Sequence, residues 1–390
     1  MSAKSVGHRR SCELCGRKLK KNGTNSAGRT RWRCPTCGTS SVRRRADVTR
    51  KADFERFLAW LLGPLGQGVV SDASARTFRR DTTWCWNVEP VIPVTGEIYD
   101  EVQVDGIYLS RNWCCLIASV RGKPIGWQWC DQEKSVAWVA LLVQFPAPRV
   151  VIADGGTGLG AALAQQWAGT DIQRCLVHVQ RNVRTYLTSN PRTDAGKALL
   201  GLGKTLTGIT SQQRAVQWLQ TLNDWYELYA HLTTERTYLK TVQERSLIPG
   251  WVRPGQTWWY THANLRKAYR LLAKLTQAGH LFTYLQTEHA GRGISSTTNR
   301  AEGAINAGIR ELLRRHRGMP ITHQRRAVEW FLYAHSFEPE PANTLITPQH
   351  YQVKKSKKPV TEEQIGPVAF DTGLSSEEGL WTRKGWAGRS

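Results

Sequence analysis

Four cysteines and three acids carry the chemistry that this sequence offers. Cys12 and Cys15 form one C-x2-C pair, and Cys34 and Cys37 form a second. Two such knuckles on facing hairpins supply the four thiolates of tetrahedral zinc, a structural metal because no position is left open. Asp105 lies inside the strand-like run IYDEVQVDGIYL, and Asp154 closes the apolar run RVVIAD ahead of a Gly-Gly turn. Two carboxylates held together repel unless a cation sits between them. Magnesium, a hard ion with oxygen ligands, suits that place. Two such ions can activate a water or a 3′-hydroxyl and stabilise the leaving oxygen of an in-line displacement. Taken singly, Asp105 paired with an arginine and Asp154 capping a helix account for either acid equally well. The third acid, Glu302, heads the basic stretch TTNRAEGAINAGIRELLRRHRG. At helical spacing Asn299, Glu302 and Asn306 share a face, with Ile305, Ile309, Leu312 and Leu313 on the packed side. An acid in so basic a segment is explained if it holds something positive.

The elements around these residues change period along the chain. IYDEVQVDGIYL, NWCCLIASV and PIGWQWC read as three strands separated by short turns, followed by the helix KSVAWVALLVQF. RVVIAD is a fourth strand, GGTGLGAALAQQW a turn and helix, and IQRCLVHVQRNVRTYL a fifth strand running into a helix. Alternation puts Glu101, Gln103, Asp105 and Ile107 on one face of the first strand, with Val102, Val104 and Tyr108 on the other. If strands one and four are neighbours, Asp105 and Asp154 meet at the carboxyl edge, where α/β sheets gather ligands. The order β-β-β-α-β-α-β-α resembles the ribonuclease-H-like fold.

Composition narrows the partners. The chain of 390 residues carries a net charge of +23, which draws polyanions, nucleic acid foremost. With 40% hydrophobic residues it can build real cores, and no apolar run is long enough to span a membrane. The N-terminus lacks the apolar region of a secretory signal, and Cys85, Cys114, Cys115, Cys130 and Cys175 form no disulfide framework. A cytoplasmic protein is expected. Residues 1–51 are dense in Lys and Arg, with Glu13 and Asp47 their only acids, so the zinc ribbon is expected to meet DNA phosphates. Phe54, Phe57, Leu58, Leu61, Leu62 and Leu65 follow a helical stripe; after a Gly-rich break a second helix turns Phe78 and Trp84 or Cys85 inward and Arg76, Arg79 and Arg80 outward. That is the outline of a DNA-binding helix-turn-helix.

VDG, IADGG, RCLVH and TTNRAEG together resemble the Mutator-type transposases of bacterial insertion sequences. The resemblance implies a ribonuclease-H-like core with an Asp-Asp-Glu catalytic triad, here Asp105, Asp154 and Glu302, which hold two Mg²⁺ (Mn²⁺ can substitute). It makes Asn299 the residue that precedes the Glu motif and Cys175 with His178 the C-x2-H element after strand five. It also implies a supporting base on the last helix, for which Arg310 is nearest, with Arg314 and Arg315 also available; Arg314 and Arg315 are expected to lie along the incoming DNA. Read alone, Cys175 and His178 also fit half of a metal site or a packed helix start. The family further implies an all-helical insertion between Asp154 and Glu302. Trp258 and Trp259, close to Arg253, could stack there on an unpaired base or simply pack the insertion.

The expected organisation is multidomain. A zinc ribbon (1–50) and a helix-turn-helix region (51–90) precede an α/β ribonuclease-H-like core (97–189). An all-α insertion (190–288), the last core helix (289–337) and a basic, loosely ordered tail (338–390) follow. The expected function is a DNA transposase that binds terminal inverted repeats, cleaves the strand and transfers it to target DNA, working in the bacterial nucleoid as a dimer or larger assembly on DNA. A domesticated, non-catalytic DNA-binding regulator and a nuclease that cuts without joining are the alternatives.

Overall fold

The computed structural model describes residues 12, 15, 17–26, 30–41, 46–71, 74–110, 113–299, 302–351 and 380–381, of which 41, 46–49, 110, 302 and 380–381 are described by backbone alone. Two compact units result. Residues 1–90, 323–330 and 340–358 form one, and residues 91–322, 331–339 and 359–390 form the other. Of the loosely ordered tail expected over 338–390, residues 338–351 are described and form two 3₁₀ turns, Ala342–Leu345 and Pro348–Tyr351; beyond residue 351 only 380–381 are described.

In the first unit, strands β1 (Lys20–Thr24), β2 (Thr30–Arg33) and β3 (Ser40–Ser41) make an antiparallel sheet in sequence order. Strand β1 is exposed throughout, and Cys12 and Cys34 are the buried side chains among the described ribbon residues. Helix α1 (Ala46–Leu62), the short α2 (Gln67–Val70) and α3 (Ala75–Thr82) follow, the last running into a 3₁₀ turn, Thr83–Asn87. Phe54, Phe57 and Leu61 are fully buried, as their spacing predicts. Leu65, expected on the same stripe, is half exposed because the helix stops at Leu62, ahead of Gly63 and Pro64. Ser74 caps α3, its Oγ accepting from the Thr77 amide at 3.3 Å. Phe78, Trp84 and Cys85 are buried while Arg76, Arg79 and Arg80 are exposed. Two short helices cannot cover so many rings, and residues 323–330 complete the cluster. Trp330 meets Phe54 edge-on at 5.3 Å, and His323 stacks on Trp86 at 4.0 Å. Arg326 bridges Glu329 (2.7 Å) and Glu89 (2.6 Å).

The second unit is built on a mixed sheet. Strands β4 (Glu101–Ser110), β5 (Trp113–Val120) and β6 (Lys123–Cys130) run antiparallel in succession. Helix α4 (Ser135–Leu142), strand β7 (Val150–Ala153), helix α5 (Thr157–Gln166), strand β8 (Asp171–Arg174) and helix α6 (Leu176–Leu187) complete the alternating series. Spatial order is β6-β5-β4-β7-β8, with β7 parallel to both neighbours and the two-residue strand Leu380–Trp381 outside β6. Every residue of β5 and β7 is buried. Val102 and Val104 of β4 pack with Leu116, Trp138, Leu141 and Leu159 in one core, which is the alternation expected of that strand.

The insertion is helical in the main. Helices α7 (Asp194–Thr205), α8 (Gln212–Thr234) and α9 (Ala263–Gln277) share one apolar cluster with α6 through Val179, Val183, Leu199, Trp218, Trp225 and Leu272. It is not all-α, a correction to the expected class. Strands β9 (Arg236–Tyr238) and β10 (Trp258–Tyr260) pair antiparallel, with Trp258 opposite Tyr238. Aromatic and β-branched residues favour that pleated pairing, and Arg236 lies over the Trp258 ring at 4.1 Å.

Candidate functional site

The site is organised by the register of three parallel strands. Strand β4 pairs with β7 through Glu101–Val150, Val102–Val151 and Gln103–Ile152, and β7 pairs with β8 as far as Ala153–Arg174. Continued by two residues from Gln103–Ile152, that register sets Asp105 level with Asp154. Continued by one from Ala153–Arg174, it sets Asp154 level with Cys175. Neighbouring strands are about 4.8 Å apart, so the row Asp105, Asp154, Cys175 crosses the sheet where β7 ends.

The turn that carries Asp154 is fixed from below. Gly155 adopts φ +91°, and the Arg174 guanidinium occupies the space a side chain there would need. That guanidinium donates to the Asp154 carbonyl, and the Gly156 amide donates to Asp154 Oδ1 at 3.0 Å. Burial pulls the Arg174 pKa below its ordinary value.

The chain leaving the insertion then covers the open edge of β8. The Arg174 amide donates to the His280 carbonyl (2.8 Å), Thr283 Oγ1 to the Ile172 carbonyl (2.7 Å), and the Leu176 amide to the Ser296 carbonyl (3.0 Å). Cys175, fully buried, accepts from both the Thr298 amide (3.3 Å) and its hydroxyl (3.2 Å) across 123 residues of sequence. Burial pushes the Cys175 thiol up, but hydrogen bonds from His178 and Thr298 outweigh it and hold the pKa below its ordinary value.

A cleft of about 510 Å³ opens beyond this clamp, lined by Asp105, Gly106, His178, Arg181, Asn299, Gly303, Asn306 and Arg310. Asn306 Nδ2 donates to Asp105 Oδ2 at 2.7 Å, joining residues 201 positions apart. Glu302 opens a π-helical turn, Glu302–Asn306, which leads into helix α10 (Ala307–Arg315). A wider turn inserted in a helix re-aims its side chains and is frequent at functional sites. Ile305, Ile309 and Leu312 are buried, as the spacing predicts, and Leu313 is half-buried.

Of the sequence-predicted residues, Asp105, His178, Asn299 and Arg310 line the cleft. Asp154 and Cys175 lie on the strand row beside it, and Glu302 shares its turn with Gly303 and Asn306. Arg314 and Arg315 are exposed further along α10, Arg314 paired with Glu311 at 3.0 Å. Trp259 is buried at 5% exposure, and Trp258, half-buried, carries Arg236 over its ring at 4.1 Å.

Asn306 lines the cleft on the face that its spacing from Asn299 and Glu302 predicts, whereas sequence reading missed Arg181, although it follows His178 by about one helical turn. It missed Arg174 and Glu133 as well. Glu133 precedes α4, and its carboxyl lies where a side chain on Gly106 would begin. Burial, then the charges of Asp154 and Asp105, push the Glu133 pKa up to about 7, with His178 pulling the other way. Asp105, Asp154 and Glu133 are oxygen donors of the kind a hard divalent cation takes; among the described residues their carboxylates are not gathered within 4.8 Å of one another as the cysteine sulfurs are.

At the N-terminus, Cys12, Cys15, Cys34 and Cys37 bring their sulfurs within 4.8 Å of one another. The Cys12–Cys37 and Cys15–Cys34 separations are 3.5 and 3.4 Å, and all four are free thiols. Sulfurs on a shared tetrahedral zinc with bonds of about 2.3 Å stand roughly 3.8 Å apart, so the cluster fits that ion. Thr39, through its side chain and its backbone amide, pulls the Cys37 pKa down to about 6, toward the thiolate that zinc binds. Asp171, Glu288 and His289 also converge, with His289 Nε2 at 3.0 Å from Asp171 Oδ2.

Among the described residues no helix is long and apolar enough to cross a membrane. No curated protein matches the chain. Residues 111–242 match a family model described as "Transposase, Mutator family", about a third of the chain. Asp154, Cys175 and His178 fall inside the matched span; Asp105, Asn299 and Glu302 fall outside it.

Proposed function

Taking the Mutator-type transposase match of residues 111–242 as premise, we propose that this protein is a DNA transposase. Its second unit is a ribonuclease-H-like core with Asp105, Asp154 and Glu302 as the catalytic acids. The observation that carries the reading is the Asn306–Asp105 hydrogen bond at 2.7 Å. It ties the Glu302 turn to the strand row of Asp105 and Asp154, the juxtaposition that an Asp-Asp-Glu site requires.

Asp105 and Asp154 are the residues that would hold Mg²⁺, with Glu302 as the third ligand. Bound magnesium supplies Lewis-acid polarisation of the attacking and leaving oxygens. The chain does the rest. Asn306 fixes the orientation of Asp105, and the Arg174 contact steadies the carbonyl of Asp154. Arg181 and Arg310 add positive charge at the cleft, where a phosphodiester would lie. Water hydrolyses the strand at the element end, leaving a 3′-hydroxyl and a 5′-phosphate; the 3′-hydroxyl then attacks a target phosphodiester in line, and the target's own 3′-oxygen leaves as a hydroxyl. His178, bonded to Cys175, faces that reaction from α6.

The first unit reads the element ends. The four-cysteine ribbon and the exposed Arg76, Arg79 and Arg80 on α3 supply phosphate contacts in a helix-turn-helix arrangement. Two ends are handled by two or more copies of the chain, in the bacterial cytoplasm at the nucleoid. Binding to end DNA should weaken steeply with salt, because Lys and Arg release counterions; a flat response would remove phosphate contacts from the account.

The test is a magnesium-dependent cleavage and joining assay on end DNA with Asp105→Asn and Glu302→Gln proteins. Both should bind DNA normally and lose cleavage. Unchanged cleavage overturns the catalytic assignment. Cleavage without joined products from the unsubstituted protein makes it a nuclease rather than a transposase.

A further inference from the structure

Glu133 is a half-buried acid with no ordinary reason to be where it is. It sits between β6 and α4, and its backbone amide donates to Tyr108 Oη at 3.3 Å. Its carboxyl lies against the backbone of Gly106, next to Asp105. A Cβ at position 106 would stand 2.5 Å from Glu133 Oε1 and 2.7 Å from its carboxyl carbon. On the other side, a Cβ at Gly158, in the first turn of α5, would strike the Glu133 carbonyl at 2.4 Å. Two glycines thus leave the room that the Glu133 segment fills, and they hold it near the gap where β4 and β7 part. The adjacent base Lys134 pairs instead with Asp131 at 3.3 Å. Among the described residues no donor or cation is bonded to the Glu133 carboxylate, a costly state for a charge partly removed from water. The nearby charges that act on it most are Asp154 and Asp105, both negative.

We propose that Glu133 is a further cation-binding carboxylate of the Asp105 and Asp154 site, acting with those two acids on a divalent metal ion. A cation resolves the three-way repulsion and supplies the partner that Glu133 lacks. Magnesium-type ions keep several waters and take few protein oxygens directly, so Glu133 acts either as a ligand or through a bound water. The inference rests on the metal-dependent reading of the cleft and adds an acid outside the Asp-Asp-Glu triad.

The experiment is titration of the zinc-loaded, full-length protein with Mn²⁺, followed by the electron paramagnetic resonance signal of the free ion. Glu133→Gln should weaken Mn²⁺ binding about ten- to a hundred-fold, the range for outer partners of a metal site, with the melting temperature unchanged or raised. Gly106→Ala, which displaces the carboxyl without altering its charge, should weaken binding in the same direction. Asp194→Asn, an exposed acid on α7, should change nothing. If Glu133→Gln binds Mn²⁺ like the unsubstituted protein while Asp105→Asn does not, the role of Glu133 is overturned and the metal site stands. If Asp105→Asn and Asp154→Asn also bind normally, the metal-site reading itself is lost.

Discussion

The four-cysteine ribbon and the central sheet, the two places proposed to hold a metal, are built in opposite ways. Among the described ribbon residues only two cysteines are buried, and strand β1 is exposed along its length. Among the described residues such a sheet has no apolar core beyond those cysteines to offset the entropy of ordering it. The central sheet has every residue of β5 and β7 buried and packs Val102, Val104, Leu116 and Trp138 in one cluster. On the metal-dependent function proposed above, the ribbon needs zinc in order to fold, whereas the cleft folds without its ion. On that reading the fold of the ribbon is a consequence of its metal, and the fold of the central sheet is the precondition of one.

Removing zinc strains this contrast most. Chelation, or Cys34→Ser, should unfold the ribbon outright, because structural zinc contributes about 10–16 kcal/mol in small zinc domains. Zinc content should fall to zero and ribbon amide resonances should collapse, while those of β4 to β8 stay in place. Ribbon resonances that survive chelation would break the comparison. Next in size, Asp105→Asn or Asp154→Asn should lower magnesium-dependent cleavage about 10³-fold, several kcal/mol of lost charge stabilisation. Thermal unfolding of the same proteins should stay level or improve, since a repelling charge is gone. A large loss of stability instead would put the acids in the scaffold.

Between these extremes lies the clamp at Cys175. Cys175→Ala leaves the Thr298 amide and hydroxyl without their buried acceptor and should cost about 1–3 kcal/mol in denaturant unfolding. Cleavage should fall in parallel, and Cys175→Ser, which keeps an acceptor, should recover part of both. The smallest effect concerns pH. With its folded pKa raised to about 7 from 4.5, Glu133 binds its proton more tightly in the folded state. In metal-free protein its destabilising share is absent below the unfolded pKa and grows as pH rises through 7. The melting-temperature difference between Glu133→Gln and the unsubstituted protein should thus favour the variant at about pH 8 and vanish near pH 4.5. A difference independent of pH would deny that Glu133 titrates in this window.

What could be read from sequence follows a physical line. The strands around Asp105 and Asp154 were legible because period-two alternation and apolar runs are local signals, and register then sets the two acids level. The cysteine cluster was legible because its spacing is its chemistry. Glu133 was not, since an acid within DQEK looks like any solvated turn charge until Gly106 is seen to make room for it. Arg174 was hidden likewise, its role depending on the φ of Gly155. Ribbon β9–β10 escaped because three-residue strands carry too little periodicity to outweigh the long helices beside them. Residues 323–330 read as a continuation of the final core segment, and only the rings of Phe54 and Trp86 reveal which unit they complete.

The hydrogen bonds from Thr298 to Cys175 and from Asn306 to Asp105 also impose an order in time. A ribosome makes the whole of β4 to β8 before it has made any residue of the wall that contains Asn299 and Asn306. Synthesis that stops ahead of Thr298 yields a chain with its cysteine ribbon and its strand acids but half a cleft. Premature termination therefore costs both units at once, because the missing stretch holds the second wall of the cleft and also residues 323–330, which complete the ring cluster around Phe54 and Trp86.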